Sequence, residues 1–277
     1  MLIVDSQIHL WNEGKPPPHH RQGVYLAEDA IAEMNAAGIT AAINHPPQWD
    51  QSSNSYAVEA ARAHPDRFAT LGWLKLDRPE APDVVRCWRD QPGMIGFRFL
   101  CMAPDERSWP TDGTMDWLWP LAEELSLPIA LCGPVLLPMV EHLAPRFPSL
   151  KLTVDHLGYV GPSTSPDVLL NQVRGLHGWA RFPNVAVKLT GIPDYARDVY
   201  PFPSLHGEIR RLYDAFGPER LFWGTDITRL KCSWRECVTM FTEKMPWLPA
   251  ADQRLILGEA FCAWHDWCPP TALRPDP

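Results

Sequence analysis

Runs of basic residues are missing from this 277-residue chain, whose formal net charge is −8. A surface for nucleic acid or for an anionic membrane needs clustered Lys and Arg, so neither class of partner is expected. Also missing is any apolar stretch near the roughly 18 residues that a membrane-spanning helix requires. The first residues lead straight into a strand-like segment, without the basic start and small-residue cleavage site of a signal peptide. None of the seven cysteines forms a Cys-x-x-Cys pair, and their number is odd. Reduced thiols in a cytoplasmic protein are therefore expected, not a disulfide framework. Linkers, low-complexity blocks and internal repeats are absent too, which points to one domain over residues 1–277.

Proline and tryptophan are abundant, at 30 and 13 residues. The prolines gather in connections such as KPPPHH and HPPQW, where they predict long but stiffened loops. Between the loops, eight short apolar runs recur: LIVDSQIH, ITAAINH, FATLGWL, MIGFRFL, PIALCG, KLTVDH, VAVKLTG and LFWGTD. Most are followed by a helical pattern. AEDAIAEMNAAG carries acidic residues in its first turn and Gly38 as a stop. PDVVRCWRDQPG has Pro82 near its start and Gly93 beyond its end. TMDWLWPLAEEL, VLLPMVEHLAPRF, DVLLNQVRGLHGWARF and EIRRLYDAFG fill later slots, and ALRPDP reads as a frayed tail. Eight strand–helix units predict a (β/α)8 barrel. An open doubly wound sheet would show a Gly-rich phosphate turn after its first strand. Here that strand ends in His9, Leu10 and Trp11.

Working residues in such barrels sit at the C-terminal strand ends and face the lumen. Two-residue alternation then selects Asp5, Gln7 and His9 on strand one and Arg98 on strand four, with Ile95, Phe97 and Phe99 outward. It places Ala130 and Cys132 on one side of strand five, and Lys188 and Thr190 inside on strand seven. Gly224 and Asp226 share a side on strand eight. On strand six, parity leaves open whether Asp155 or His156 faces in. Arg98 and Lys188 either neutralise Asp5 and Asp226 in a structural network or leave positive potential for an anionic substrate. Asp226 is either a cap for the following turn or a general base. Cys132 alone reads as a small buried hydrophobe.

The segments IVDSQIHLW, NSYAVEAARAHPDRFATLGWL, GMIGFRFL, LTVDHLG, NVAVKLTG and RLFWGTDIT together resemble the amidohydrolase superfamily. The likeness is to its amidohydrolase-related branch, which holds pyrone-dicarboxylate and sugar-acid lactonases and related decarboxylases. The resemblance implies a metal held by His-x-His on strand one, a His on strand five and the Asp on strand eight, with a strand-six His in catalysis or ligation. His9, His156 and Asp226 match that pattern. Gln7 replaces the first His, and Cys132 stands in the strand-five place. Because an amide is a weak ligand and a thiol must lose its proton to bind, metal-independent chemistry is expected. The alternative is one divalent metal such as zinc on His9, Cys132, His156 and Asp226.

The expected function is hydrolysis of a small carboxylated lactone. Asp226 would be the base, and His156 and His9 would polarise the carbonyl. Arg98 would grip a carboxylate, Lys188 would support Asp226 or add an anionic contact, and Gln7 would border the substrate. A metal-dependent non-oxidative decarboxylase and a catalytically dead binding barrel are the competing expectations. A homo-oligomer is left open.

Overall fold

The computed structural model describes residues 1–158 and 173–270. The frayed tail and the first part of the DVLLNQVRGLHGWARF helix lie outside the described residues. All eight apolar runs form strands: β1 (Val4–Ile8), β2 (Ala41–Asn44), β3 (Phe68–Gly72), β4 (Met94–Phe99), β5 (Ile129–Leu131), β6 (Leu152–Val154), β7 (Val185–Leu189) and β8 (Leu221–Trp223). They pair in parallel in sequence order, with helices between them, as a (β/α)8 barrel. The expected helices stand where the patterns put them, among them Ala27–Ala37, closed by the left-handed Gly38, and Pro203–Phe216. No helix of the described residues is long and apolar enough to cross a membrane.

Two apolar clusters follow from strand alternation. Outward residues such as Phe97, Phe99, Val185, Val187 and Leu189 pack against the helices. Val4, Ala41, Ile43, Ala69, Leu71, Ala130, Ala186 and Phe222 pack inside, closed by Ala260 and Phe261 of the C-terminal helix. Small and large side chains mix in that layer, as a narrow barrel interior requires. The floor is thus mainly apolar, and the charged strand-end residues gather at the opposite mouth.

Simple alternation fails at three places. The register shifts within β1 between Asp5 and Ile8, which turns Val4 inward and Asp5 outward while Gln7 and His9 still reach the lumen. A second shift pairs Leu71 with Gly96 and brings Ile95 into the inner cluster, correcting its expected outward face. On β6 the choice between Asp155 and His156 dissolves. His156 adopts a left-handed backbone (φ 51°, ψ 38°), so the chain turns there and both residues serve the mouth.

The seam between β8 and β1 is closed largely by one side chain. Asp5 Oδ1 accepts from the Gln7 and Thr225 N–H groups at 3.0 and 2.8 Å. Its Oδ2 accepts from Thr225 Oγ1 at 2.5 Å and from the Trp234 indole at 2.6 Å. One backbone bond, from Asp226 N to Gln7 O at 2.8 Å, completes the closure. Gly224 sits at this seam because a Cβ there would lie 2.6 Å from Ser6 Oγ and 2.7 Å from Thr190 Cγ2.

Candidate active site

The mouth of the barrel holds a cavity of about 310 Å³ whose lining includes His9, Arg98, Cys132, His156, Asp226 and Arg229. A volume of that order suits a small molecule. Asp226 borders it, just past β8, in a left-handed conformation (φ 60°). Strained backbone of this kind costs about 1–3 kcal/mol and persists where the surroundings impose it. Here both His156 and Asp226 bear it.

Each imidazole is oriented through its far nitrogen. His9 Nδ1 lies 2.5 Å from the His45 carbonyl, and His9 Nε2 lies 3.3 Å from Asp226 Oδ1. His156 Nδ1 meets Thr190 Oγ1 at 2.8 Å, leaving Nε2 at 3.8 Å from Asp226 Oδ2. A third histidine, His20, also borders the cavity and has its Nδ1 held by Thr228 Oγ1 at 2.9 Å. Burial lowers the pKa of all three, to about 3 for His20 and His156, so they are neutral near pH 7. Asp226 behaves oppositely. Burial alone would raise it, but His9, Arg229 and His156 outweigh that and hold it well below the usual carboxylate range.

Arg229 was not singled out from sequence. Its Nε stands 3.0 Å from Asp226 Oδ2, and a Cβ at Gly191 would lie 2.1 Å from its Nη2. Glycine at 191 is therefore the condition for that guanidinium to reach the mouth. His20 and Arg229 come from loop positions that no periodicity marks. His45 was missed as well, although it follows β2 on the same parity as the inward Ile43 and parity could have found it.

A second group lies beside the first. Asp155 Oδ2 accepts from Arg98 Nε at 2.6 Å, and its Oδ1 is 3.0 Å from Lys188 Nζ. Burial would raise Asp155, yet Lys188 and Arg98 bring its pKa down. Lys188 is fully buried, also donates to Gln7 Oε1 at 3.0 Å, and stands 2.9 Å from His45 Nε2. Burial pushes its pKa down to about 8. The expected partners are thus corrected. Arg98 and Lys188 neutralise Asp155, not Asp5 and Asp226, and Lys188 supports Gln7 and His45 instead of Asp226. This also gives Gln7 a reason: its carbonyl oxygen accepts from an ammonium, which a protonated imidazole nitrogen could not do. Arg98, with Nε committed and Nη2 3.4 Å from His156 Nε2, retains only part of its fork for a ligand.

The residues fit a divalent ion. Because a carbonyl can only accept, His9 Nδ1 carries the proton and its Nε2 presents a lone pair to Asp226 Oδ1. That oxygen is buried and has no hydrogen-bond donor among the described residues. Two lone pairs 3.3 Å apart call for a cation between them, and burial disfavours the proton. Cys132, Asp155 and His156 also offer three ligand atoms within 4.8 Å of one another. Burial pushes the bare Cys132 thiol up to about 11, so only a bound cation would make it a thiolate.

The comparisons agree with the fold. The sequence model of the amidohydrolase family matches residues 4–262. An L-fucono-1,5-lactonase of Burkholderia ambifaria is 26% identical over 250 residues, covering 82% of this chain and 81% of that protein. The crystal structure of an amidohydrolase from Burkholderia multivorans with bound zinc superposes with a TM-score of 0.80 at 22% identity, covering 96% of this chain and all of that one. A probable 2-pyrone-4,6-dicarboxylic acid hydrolase from Acinetobacter baumannii with citric acid bound gives 0.74 at 15% identity, covering 96% and 100%. The 5-carboxyvanillate decarboxylase of Novosphingobium aromaticivorans was crystallised with manganese and gives 0.67 at 15% identity, covering 96% of each chain. The expectation of chemistry without a metal is overturned. Neighbours on this fold carry zinc or manganese, and the chain's own converging donors point to a divalent ion. The expectation failed because Gln7 and Cys132 were weighed as losses from a fixed ligand pattern, while the free oxygen of Asp226 could not be seen from sequence.

Proposed function

The chain belongs to the amidohydrolase family, and we propose that it is a metal-assisted hydrolase that opens a small carboxylated lactone. The observation that carries this is one carboxylate, Asp226, whose two oxygens face two oriented, neutral imidazoles at 3.3 and 3.8 Å inside a small-molecule cavity. His9, His156 and Asp226, with Cys132 or Asp155 beside them, would hold the ion. The chemistry such an ion supplies when bound is polarisation of a carbonyl and a lowered pKa for water.

Asp226 is the general base. It takes a proton from the attacking water, and its depressed pKa keeps it ionised across the neutral range. Arg229 fixes the second oxygen and keeps the carboxylate aimed. Arg98 uses the part of its guanidinium not bound to Asp155 to meet the substrate carboxylate. With Arg98, Arg229 and Lys188 against Asp155, Asp226 and Asp194, which lies 3.8 Å from Arg229 Nε, the charges at the mouth balance, and a bound divalent ion would leave it positive. That favours an anionic substrate. Lys188 and Gln7 act from below by fixing Asp155 and His45.

The experiment offers the purified, metal-loaded protein two sets of compounds, carboxylated δ-lactones and hydroxylated aromatic carboxylates. Ring opening of the lactones, followed by proton release, is the expected result. Carbon dioxide release from the aromatic acids with intact lactones would replace this reading by a decarboxylase.

A further inference from the structure

The loop after β8 carries two groups that shape the mouth. Arg229 Nε lies 3.0 Å from Asp226 Oδ2, and Thr228 Oγ1 holds His20 Nδ1 at 2.9 Å. Further along, the same loop presents Cys232, just before the helix Trp234–Thr242. That helix starts with a capping box. Ser233 Oγ accepts from Glu236 N at 3.2 Å, and Glu236 Oε2 accepts from Ser233 N at 2.8 Å. Such a start sets the residue before the cap against the fourth helical residue, a contact usually made by two apolar side chains. Here both are cysteine, Cys232 and Cys237, and their Sγ atoms lie 3.5 Å apart.

The two thiols are not equivalent. Cys237 is buried, whereas Cys232 is half-buried and borders a surface cavity of about 410 Å³ beside Asp194, Tyr200 and Lys231. The Cys237 S–H, donating to Cys232, lowers the pKa of Cys232, and the same bond together with burial raises that of Cys237. An accessible thiol that ionises readily, touching a sheltered one, makes a dithiol able to oxidise in two steps. A disulfide needs about 2.05 Å between its sulfurs, so these must close by roughly 1.5 Å. Cys237 is fixed in its helix, which Trp234 ties to Asp5 at the β8–β1 seam. Cys232, in the loop, is the sulfur that moves, and the nearby Arg229 shifts with it.

We propose that Cys232 and Cys237 are an oxidation site for hydrogen peroxide, and that their disulfide slows catalysis by shifting Arg229 on Asp226. In the first step the Cys232 thiolate attacks a peroxide oxygen, the O–O bond breaks, and hydroxide leaves a sulfenic acid. Cys237 Sγ then attacks that sulfur, the S–O bond breaks, and a second hydroxide departs. The two thiol protons turn both hydroxides into water. The sulfurs lose two electrons and the peroxide gains them. The slowing of lactone opening rests on the reading above, but the disulfide does not.

The test treats the metal-loaded enzyme with hydrogen peroxide and then alkylates the remaining thiols. Peptide mapping should join Cys232 to Cys237 in the wild type. Amide exchange across residues 227–233 should change severalfold, kcat should fall about tenfold, and dithiothreitol should reverse both. Cys232→Ser should match the untreated rate before and after peroxide. Cys237→Ala should stop at the Cys232 sulfenic acid, which dimedone traps. Free Cys232 and Cys237 after treatment, or a disulfide mapped to Cys262 and Cys268 instead, would overturn the site. A Cys232–Cys237 disulfide with unchanged exchange and kcat, or an equal loss of rate in Cys232→Ser, would overturn its hold on Arg229. Mapping and exchange need no substrate, so they decide the inference even if no lactone opens and the lactonase reading fails.

Discussion

Asp5 on β1 and Asp226 just past β8 flank one seam, are both buried, and have opposite surroundings. Asp5 is saturated, with two backbone N–H groups, a hydroxyl and an indole donating to its two oxygens. Asp226 keeps one oxygen without a donor among the described residues and faces imidazole nitrogens and a guanidinium. Their acidities diverge accordingly. Burial raises Asp5 to about 6, whereas the charges around Asp226 overcome burial and lower it. A buried carboxylate with every lone pair used holds structure together. One left with a free lone pair at the mouth of a cavity is available for chemistry.

The sharpest way to break this contrast is to exchange each carboxylate for its amide. Asp226→Asn should lower kcat by about 10²–10⁴, the range of a positioned acid–base group, with a near-normal melt. A folded variant of near-wild-type rate would make Asp226 a turn cap. Asp5→Asn should do the reverse. An amide nitrogen facing N–H and O–H donors forfeits at least one charged hydrogen bond, so stability should drop by about 1.5–3 kcal/mol in urea unfolding. The surviving folded fraction should keep most of its specific activity, and loss of activity without loss of stability would place Asp5 in the reaction.

Arg98→Met sharpens the comparison from the substrate side. Carboxylated lactones should lose about 1.5–3 kcal/mol of binding in KM, and uncharged lactones of like size much less. Equal losses would mean that Arg98 serves Asp155 alone.

The smallest effect concerns pH. Free histidine titrates near 6.5, while folded His20 and His156 lie at about 3. Between those values the unfolded chain binds more protons, so stability should fall as pH drops through that window. Asp5 runs the other way. With a folded value of about 6 against 3.8, it takes up its proton first in the folded state and partly offsets the loss between those two values. Melting temperature should therefore decline below about pH 6.5, and more steeply in Asp5→Asn. A flat profile from pH 6.5 to 4 would show that the histidines are not held neutral.

Most of the barrel was legible because eight apolar runs and their helices carry local signals. Outward residues such as Phe97, Val187 and Leu189 obey strict alternation. The exceptions come from events that leave little mark on one sequence. A register shift inside β1 sent Asp5 to the seam, and left-handed turns at His156 and Asp226 re-aimed both side chains. Strand ends gave His9, His156, Asp226, Arg98 and Cys132, all of which line one cavity. Arg229 and His20 were missed because loops bring them in, and Asp155 was only half seen because parity treats neighbours as alternatives. The role of Lys188 was misjudged because its true partners, Asp155, Gln7 and His45, come from three other strands.

Metal content measured alongside lactone hydrolysis tests the central claim most directly. The purified protein should hold about one zinc or manganese per chain, lose hydrolysis after chelation, and regain it when the ion is restored. His156→Ala should lower the bound stoichiometry. Full lactone hydrolysis by protein stripped of metal, or a His156→Ala variant that binds the ion undiminished, would contradict it.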